Sequence, residues 1–274
     1  MRIEKQIGDQ LTAKHSQTAK DKSKALQQLA TGKKINQASD DAAGIAMARE
    51  FDKQIRAYRN AAENIQAGMS AMSIADGASS TISDMLQRQQ ELAVQSANGA
   101  YGQDERDAMD KEFQSLSQEI DRVSKSTEFD GQSLLDGNGQ LADGTGQIQS
   151  GGDANDTITL SASDLSLNAL GTAGASLRTP GAALQAMSNI DAAMKKVNDN
   201  RATEGAVSNR FDFALSNNQG QQVNLTQSLS NVEDVDFAQA LTDKVKNDIL
   251  QNSQASAISQ FNQLSKTHIL ALLQ

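Results

Sequence analysis

The chain has 274 residues, a formal net charge of −9, no cysteine and a single proline. The acidic balance argues against nucleic acid as the main partner, because phosphate binding needs a basic surface, and the lack of cysteine excludes disulfides and thiolate chemistry. Only 3% of the residues are aromatic and none is tryptophan, so the composition favours thin helix-to-helix contacts over a thick globular core.

Two amphipathic segments of opposite charge lie at the two ends of the chain. Residues 1–34 contain eight basic and three acidic residues, whereas residues 233–274 are net acidic and richer in apolar residues at helical spacing. Neither segment can bury its apolar stripe alone, so we expect helices that pair with each other or with copies of the chain. The apolar residues predicted to make these contacts are Ile3, Ile7, Leu11, Leu241, Val245, Ile249, Phe261, Leu264 and Leu272.

The clearest helix follows Ser39, Asp40 and Asp41, which are typical N-cap residues. Its apolar residues recur in steps of three and four as far as the Asn98–Gly99 break, which predicts a long coiled-coil helix. Asp104 is predicted to cap the next helix, which carries a similar apolar stripe. The apolar stripe of the long helix itself includes Ile65, Met69, Met72, Ile82, Met85 and Leu92.

The second half of the chain begins with a loop-rich stretch and two short alternating runs. Residues 146–149 and 157–160 predict a β-hairpin that turns around Gly151 and Gly152. This turn resembles a calcium-binding nonapeptide, but such sites need stacked copies and the chain has one, so a simple turn is favoured. Thr179 and Pro180 predict the start of a third long helix.

That third helix is expected to loosen or hinge around Asn217, Asn218 and Gly220, and the last helix to begin near Asn231 or Asp234. The fold class is therefore mainly α, with long antiparallel coiled-coil helices, a small β-hairpin region and paired N- and C-terminal helices.

No pattern indicates an enzyme, and we predict no catalytic, metal-binding or cofactor-binding residues. The two histidines, His15 and His268, lack a neighbouring carboxylate cluster at metal-ligand spacing. The N-terminus has no apolar core, so we expect no cleaved signal peptide, and no stretch is apolar enough to insert into a membrane.

Seven segments of the chain together carry a family resemblance. They are LATGKKINQASDDAAGIAMAREF (29–51), NAAENIQAGMSAMSIADGA (60–78), LQRQQELAVQSANG (86–99), EIDRVSKSTEFDGQSLLDG (119–137), QIQSGGDANDTITL (147–160), EGAVSNRFDFA (204–214) and VDFAQALTDKVKNDILQNSQASAISQFNQ (235–263). In this order and with this spacing they resemble bacterial flagellin over nearly the whole length of the chain, although the first helix is unusually rich in lysine and the C-terminal run lacks a proline.

The resemblance implies a short flagellin that keeps only the two inner layers of a filament. It implies an inner domain of residues 1–34 plus 231–274, a connecting spoke of residues 35–45 plus 216–230, and an outer coiled-coil domain of residues 46–215 with the hairpin near 146–160. The implied function is a structural subunit that polymerises into the extracellular flagellar filament and serves motility. The implied partners are other copies, an export chaperone and the export apparatus, and the hook-junction and filament-cap proteins.

A further surface follows from the same resemblance. Gln87, Arg88, Glu91, Leu92 and Glu112 match the flagellin patch that the vertebrate Toll-like flagellin receptor reads. Arg88 is expected to make charge-assisted bonds there and Leu92 to fill a pocket, although packing between subunits is the favoured role. Two alternatives remain for the whole chain, namely another flagellar axial protein of the hook–filament junction type and a cytosolic coiled-coil adaptor.

Overall fold

The computed structural model describes residues 2–138, 146–160 and 163–272. Six helices and two antiparallel strand pairs make up the described chain, and the predicted mainly α fold is confirmed. The elements are α1 (Arg2–Thr31), α2 (Ala42–Ala97), α3 (Gln103–Ser126), β1 (Glu128–Phe129), β2 (Gln132–Ser133), β3 (Gln147–Gln149), β4 (Thr157–Thr159), α4 (Leu167–Leu170), α5 (Pro180–Glu233) and α6 (Phe237–Leu272).

Two compact units divide the chain, and the boundary between them falls inside α2 and α5. Unit 1 contains Met1–Gln54 and Asn224–Gln274, and unit 2 contains Ile55–Val223. The division of the sequence into an inner domain, a spoke and an outer domain stays a prediction.

Two of the predicted helix starts are confirmed by side-chain caps. Asp41 Oδ1 accepts a hydrogen bond from the Gly44 amide at 2.9 Å, and Thr179 Oγ1 accepts one from the Ala182 amide at 3.1 Å. Each bond satisfies an amide that has no partner inside the first turn. Short polar residues ahead of an apolar period therefore position the two longest helices.

Three local predictions are wrong. The last helix begins at Phe237, because Asp236 Oδ1 accepts bonds from the Ala238 and Gln239 amides and so caps it later than expected. Gly102 occupies the N-cap position of α3 without a side-chain bond, and Asp104 lies within the first turn. The expected hinge near Gly220 is absent, since α5 is continuous from Pro180 to Glu233.

Unit 1 contains α1 and α6 as an antiparallel pair. Gly8 allows the close approach, because a β-carbon there would lie 3.1 Å from the Phe261 ring. Fourteen residues further along α1, Lys22 Nζ lies 2.8 Å from Asp248, which is thirteen residues earlier in α6 than Phe261. At the other end of the pair, the Lys34 amide donates to the Glu233 carbonyl at 2.6 Å.

Unit 2 holds the main hydrophobic core, between α2, α3 and α5. Phe211 of α5 is completely buried, and a β-carbon at Gly68 of α2 would lie only 2.9 Å from its ring. Arg201 of α5 bonds Asp76 of α2 at 2.8 Å, so the two helices run antiparallel. The largest fully buried side chains of this core are Phe113, Phe211, Ile65, Ile82, Leu86, Ile120, Leu134, Leu135, Leu160, Leu165, Leu170 and Leu177.

The predicted β-hairpin is confirmed, and a second one was not predicted. In β3–β4, Ile148 pairs with Ile158, and Asn218 of α5 donates to the Ser150 carbonyl at 2.8 Å. The second hairpin, β1–β2, turns through Asp130 and Gly131, which have φ values of 51° and 73°. Both central residues of a type I′ turn need positive φ, for which Asp-Gly is a preferred pair, so the sequence did contain the signal.

Candidate assembly surface

Unit 1 carries an exposed apolar face on α6. Leu241, Val245 and Ile249 follow one another at four-residue spacing and are 54%, 46% and 64% exposed. Together with Leu250 they form what we call the α6 face. A groove of about 530 Å³ runs along it and is completed by Thr242 and Lys246, and Leu264, 63% exposed, lies further along the same side of the helix.

The remaining predicted contact residues lie in different environments. Ile7 on α1 is exposed, whereas Leu11 and Phe261 are half-buried within the helix pair. The side chains of Ile3 and Leu272 lie outside the described ones. Sequence reasoning omitted Phe237, which is exposed beside Gly32, and Leu250, although Phe237 has the same four-residue spacing as the predicted set.

Ion pairs hold the helix pair from the side away from the α6 face. Asp248 lies 2.8 Å from Lys22 of α1 and 2.6 Å from Lys244 of its own helix. Hydrogen bonds from Lys22 and then Lys244 hold the pKa of Asp248 below its ordinary value. Lys33 reaches Glu233 at 2.6 Å, so basic side chains of the N-terminal segment do meet acidic side chains of the C-terminal one.

Lys24 departs from this pattern. Its ammonium group lies 2.9 Å from Asp40, a residue just ahead of α2, and the hydrogen bond from Lys24 is the largest cause that lowers the pKa of Asp40. Lys24 therefore ties α1 to the following segment of the chain.

The predicted receptor patch lies in unit 2, and only part of it is exposed on the surface. Arg88 Nε donates to Glu112 Oε1 at 2.8 Å and Arg88 Nη1 to Glu91 Oε2 at 2.9 Å, so these three charged groups form one exposed cluster that joins α2 to α3. Gln87 is exposed beside them. Leu92 is only 2% exposed and belongs to the hydrophobic core. The expectation that Leu92 fills a partner's pocket is therefore at odds with its position in the subunit.

Within the described ranges, no cluster of three or more His, Cys, Asp or Glu side chains could hold a metal ion. The helices of that same part of the chain include none with the length and apolar character needed to cross a bilayer.

Comparison with known proteins shows the family to which the chain belongs. Residues 6–140 match the family model of the bacterial flagellin N-terminal helical region, and residues 187–273 match that of the bacterial flagellin C-terminal helical region. The flagellin of Halalkalibacterium halodurans is 34% identical over 92% of this chain and 91% of its own length. The chain belongs to the bacterial flagellin family.

Solved structures agree with this assignment. The Bacillus cereus flagellin crystal structure is 36% identical, with a TM-score of 0.51 over 57% of this chain and 88% of that one. A putative flagellar hook-associated protein from Vibrio parahaemolyticus gives a TM-score of 0.58 over 71% of this chain and all of that one, at 15% identity, which shows a shared fold only.

As a flagellin, the chain is a structural subunit of the extracellular flagellar filament and not an enzyme. Its partner in the filament is other copies of itself. The exposed apolar α6 face therefore belongs to a subunit that polymerises with other copies of itself.

Proposed function

We propose that the α6 face is the surface through which copies of this subunit polymerise. The observation that carries the proposal is the row of exposed side chains at Leu241, Val245 and Ile249. Apolar area in contact with water is unfavourable by about 25 cal/mol per Å², and a contiguous exposed patch on a soluble subunit marks an interaction site. An amphipathic helix of a neighbouring copy has the matching periodicity to cover it.

We further propose the three-part organisation of the subunit, with an inner domain of residues 1–34 plus 231–274, a spoke of residues 35–45 plus 216–230, and an outer domain of residues 46–215. The separate compactness of unit 1 and unit 2 supports at least a two-part division. The α6 face then belongs to the inner domain, where each copy would be surrounded by others.

Export and assembly factors complete this proposal. The subunit would leave the cell without a cleaved signal peptide, through the flagellar export apparatus and with an export chaperone. It would then be added between the hook-junction and cap proteins. The thin contact between α1 and α6 supports this route, because a helix pair with few large buried side chains is easily unfolded for passage.

The exposed cluster of Arg88, Glu91 and Glu112 is proposed as a packing contact between subunits and as a site for the Toll-like flagellin receptor. Its charges are already paired within the subunit, so a partner would have to add bonds rather than satisfy free charges. An Arg88→Ala subunit should lose receptor activation while it remains folded. Unchanged activation by that variant would remove the receptor role.

Polymerisation of variants on the α6 face tests the main proposal. Ile249→Asp should raise the critical concentration for filament formation at least about tenfold, because a charge would be buried without a partner in the contact. Ile249→Leu, which keeps the apolar surface, should polymerise like the parent chain. The measurement is sedimentation with electron microscopy of the pellets.

Asn98→Asp is the matched charge control, since it adds the same negative charge at an exposed turn in unit 2 and keeps the side-chain oxygen that accepts from the Ala100 amide. Normal filaments from the Ile249→Asp variant would show that the α6 face is not in the contact.

A further inference from the structure

Phe213 is a large apolar side chain that the subunit leaves in water. It is 77% exposed, whereas Phe211, two residues earlier on α5, is completely buried. Two residues advance a helix by slightly more than half a turn, so the two rings point to opposite sides of α5. Phe211 packs on Gly68 of α2, and Phe213 faces away from the core.

Phe213 lies in a row of exposed, uncharged side chains that runs along α5. The residues on its side of α5, which we call the α5 outer face, are all exposed and none is ionisable. They are Ala202, Ala206, Asn209, Phe213, Asn217 and Gly220. The side of a helix that faces water usually carries charged residues, and the six positions of this row carry none.

The presence of glycine at position 220 is not explained by contacts within the described subunit. Glycine inside a helix weakens it, and a β-carbon at Gly220 would meet nothing within 4 Å. No crowding within the described subunit therefore requires a glycine there. Ala206 and Gly220 lie seven residues before and after Phe213, so small side chains flank the ring on both sides and leave room for another helix to approach.

We infer that the α5 outer face is a further contact between neighbouring copies of the subunit, separate from the α6 face and from the Arg88 cluster, with Phe213 inserted into the neighbour. This rests on the proposed polymerisation only in taking the neighbour to be another copy. Copies with a net charge of −9 repel one another, so they approach best where a face has no charge. Arg210 and Asp212, exposed on opposite flanks of Phe213, supply a rim of both signs for a neighbour of the same sequence.

A cysteine placed at this position tests the inference, because the parent chain has no cysteine and a single thiol can be labelled cleanly. The Phe213→Cys thiol should react with a fluorescent maleimide at least about tenfold more slowly in filaments than in soluble subunits. The reference is Asn155→Cys, at an exposed position in the β3–β4 turn. Protection is the labelling rate in soluble subunits divided by the rate in filaments, and it is compared between positions 213 and 155.

Phe213→Asp gives the second readout. It should raise the critical concentration for polymerisation at least about tenfold, while the thermal melting followed by circular dichroism stays unchanged because the side chain has almost no contacts in the subunit. Failure of the folded Phe213→Cys variant to polymerise would also support the inference. Equal protection at the two cysteine positions, together with normal filaments from Phe213→Asp, would overturn it.

The two proposals fail in different ways. If the α6 face is not a contact, Ile249→Asp polymerises normally whatever happens at Phe213. If the α5 outer face is not a contact, Ile249→Asp still blocks assembly and the Phe213 variants behave like the parent chain.

Discussion

Glu204 is a carboxylic acid almost entirely buried in the core of unit 2, at 5% exposure. Asn200 Nδ2 donates to Glu204 Oε1 at 2.9 Å, and Glu204 Oε2 is buried with no hydrogen-bond partner in the described part of the chain. Burial raises the pKa of Glu204 to about 7, with a further rise from Asp76 of α2 and opposing effects of Asn200, Arg201 and Ser79. One buried carboxyl group therefore titrates near neutrality within the hydrophobic core of unit 2.

The first prediction concerns pH and Glu204. Its pKa is higher in the folded chain than in the unfolded chain, where it is near 4.5, so the folded state holds this proton more tightly. The free energy of unfolding should then fall as the pH rises from about 4.5 to about 7, and stay level above that range as far as this group is concerned. Glu204→Gln should remove that part of the pH dependence and stabilise the chain at pH 8 by about 1–3 kcal/mol.

Urea unfolding followed by circular dichroism at pH 5 and pH 8 provides the measurement. Glu63→Gln, at an exposed position on α2, is the control and should follow the parent chain at both pH values. If the parent and Glu204→Gln lost the same stability between pH 5 and pH 8, the buried carboxyl would not be the titrating group.

Between whole elements, charged contacts align the helix α1 with the helix α6. The apolar stripe of α1 is sparse, and the described apolar side chains that are buried near it in this unit are small ones such as Ala25 and Ala240. Lys22 bonds both Asp248 and Gln251, at 2.8 and 3.1 Å. Since apolar side chains of helices can slide by a turn at modest cost, the polar contact at Lys22 is well placed to select the register.

The second prediction is a charge exchange between these helices. Lys22→Glu should weaken the α1–α6 pair and raise the critical concentration for polymerisation by severalfold, most at low salt, because it places two negative charges together. Adding Asp248→Lys should restore assembly towards that of the parent chain. The quantity to compare is the critical concentration of the single and double variants at 50 mM salt, where the Debye length is about 14 Å, and at 500 mM salt, where it is about 4 Å.

Lys24→Glu is the internal control, because Lys24 contacts Asp40 and not α6. Asp248→Lys should give no rescue of that variant. Rescue of both lysine variants to the same extent would mean that net charge, and not the Lys22–Asp248 contact, controls assembly.

The two units of the whole molecule differ in what they bury. Among the side chains that the structure describes, unit 2 contains all the largest fully buried ones, and unit 1 buries mainly small ones, such as Ala25, Ala48 and Ala240, besides Ile35. A helix pair with so little buried apolar area hardly offsets the ordering of its backbone, which costs roughly 1–2 kcal/mol per residue. Unit 1 should therefore open far more readily than unit 2 in the separate subunit.

The third prediction concerns limited proteolysis and follows from the easier opening of unit 1. In soluble subunits, trypsin should cut first within residues 1–40 and 230–274, leaving a resistant fragment that contains unit 2. In filaments the same segments should resist, because neighbouring copies would cover the α6 face and add the missing buried area. Mass spectrometry of the early fragments locates the cuts, and equal resistance of the ends in both states would contradict this account.

Much of the architecture could be predicted from the sequence because helix formation is a local property. The caps at Asp41 and Thr179 and the pairing of Ile148 with Ile158 follow from residues that are neighbours in the chain. The family could be inferred in the same way from seven segments in order. The predicted row at Leu241, Val245 and Ile249 is also a local pattern, and it does lie on one side of α6.

Only the tertiary structure decided which apolar and polar side chains are covered. Leu92 and Val94 stand two residues apart on α2, and only the packing against neighbouring elements buries the first and exposes the second. The same contrast occurs on α5, where Phe211 is buried and Phe213 is exposed. Glu204 likewise looks like a surface residue in the sequence and lies in the core. Periodicity states which residues share one side of a helix, but burial depends on what packs against that side, and that is settled by segments far away in the chain.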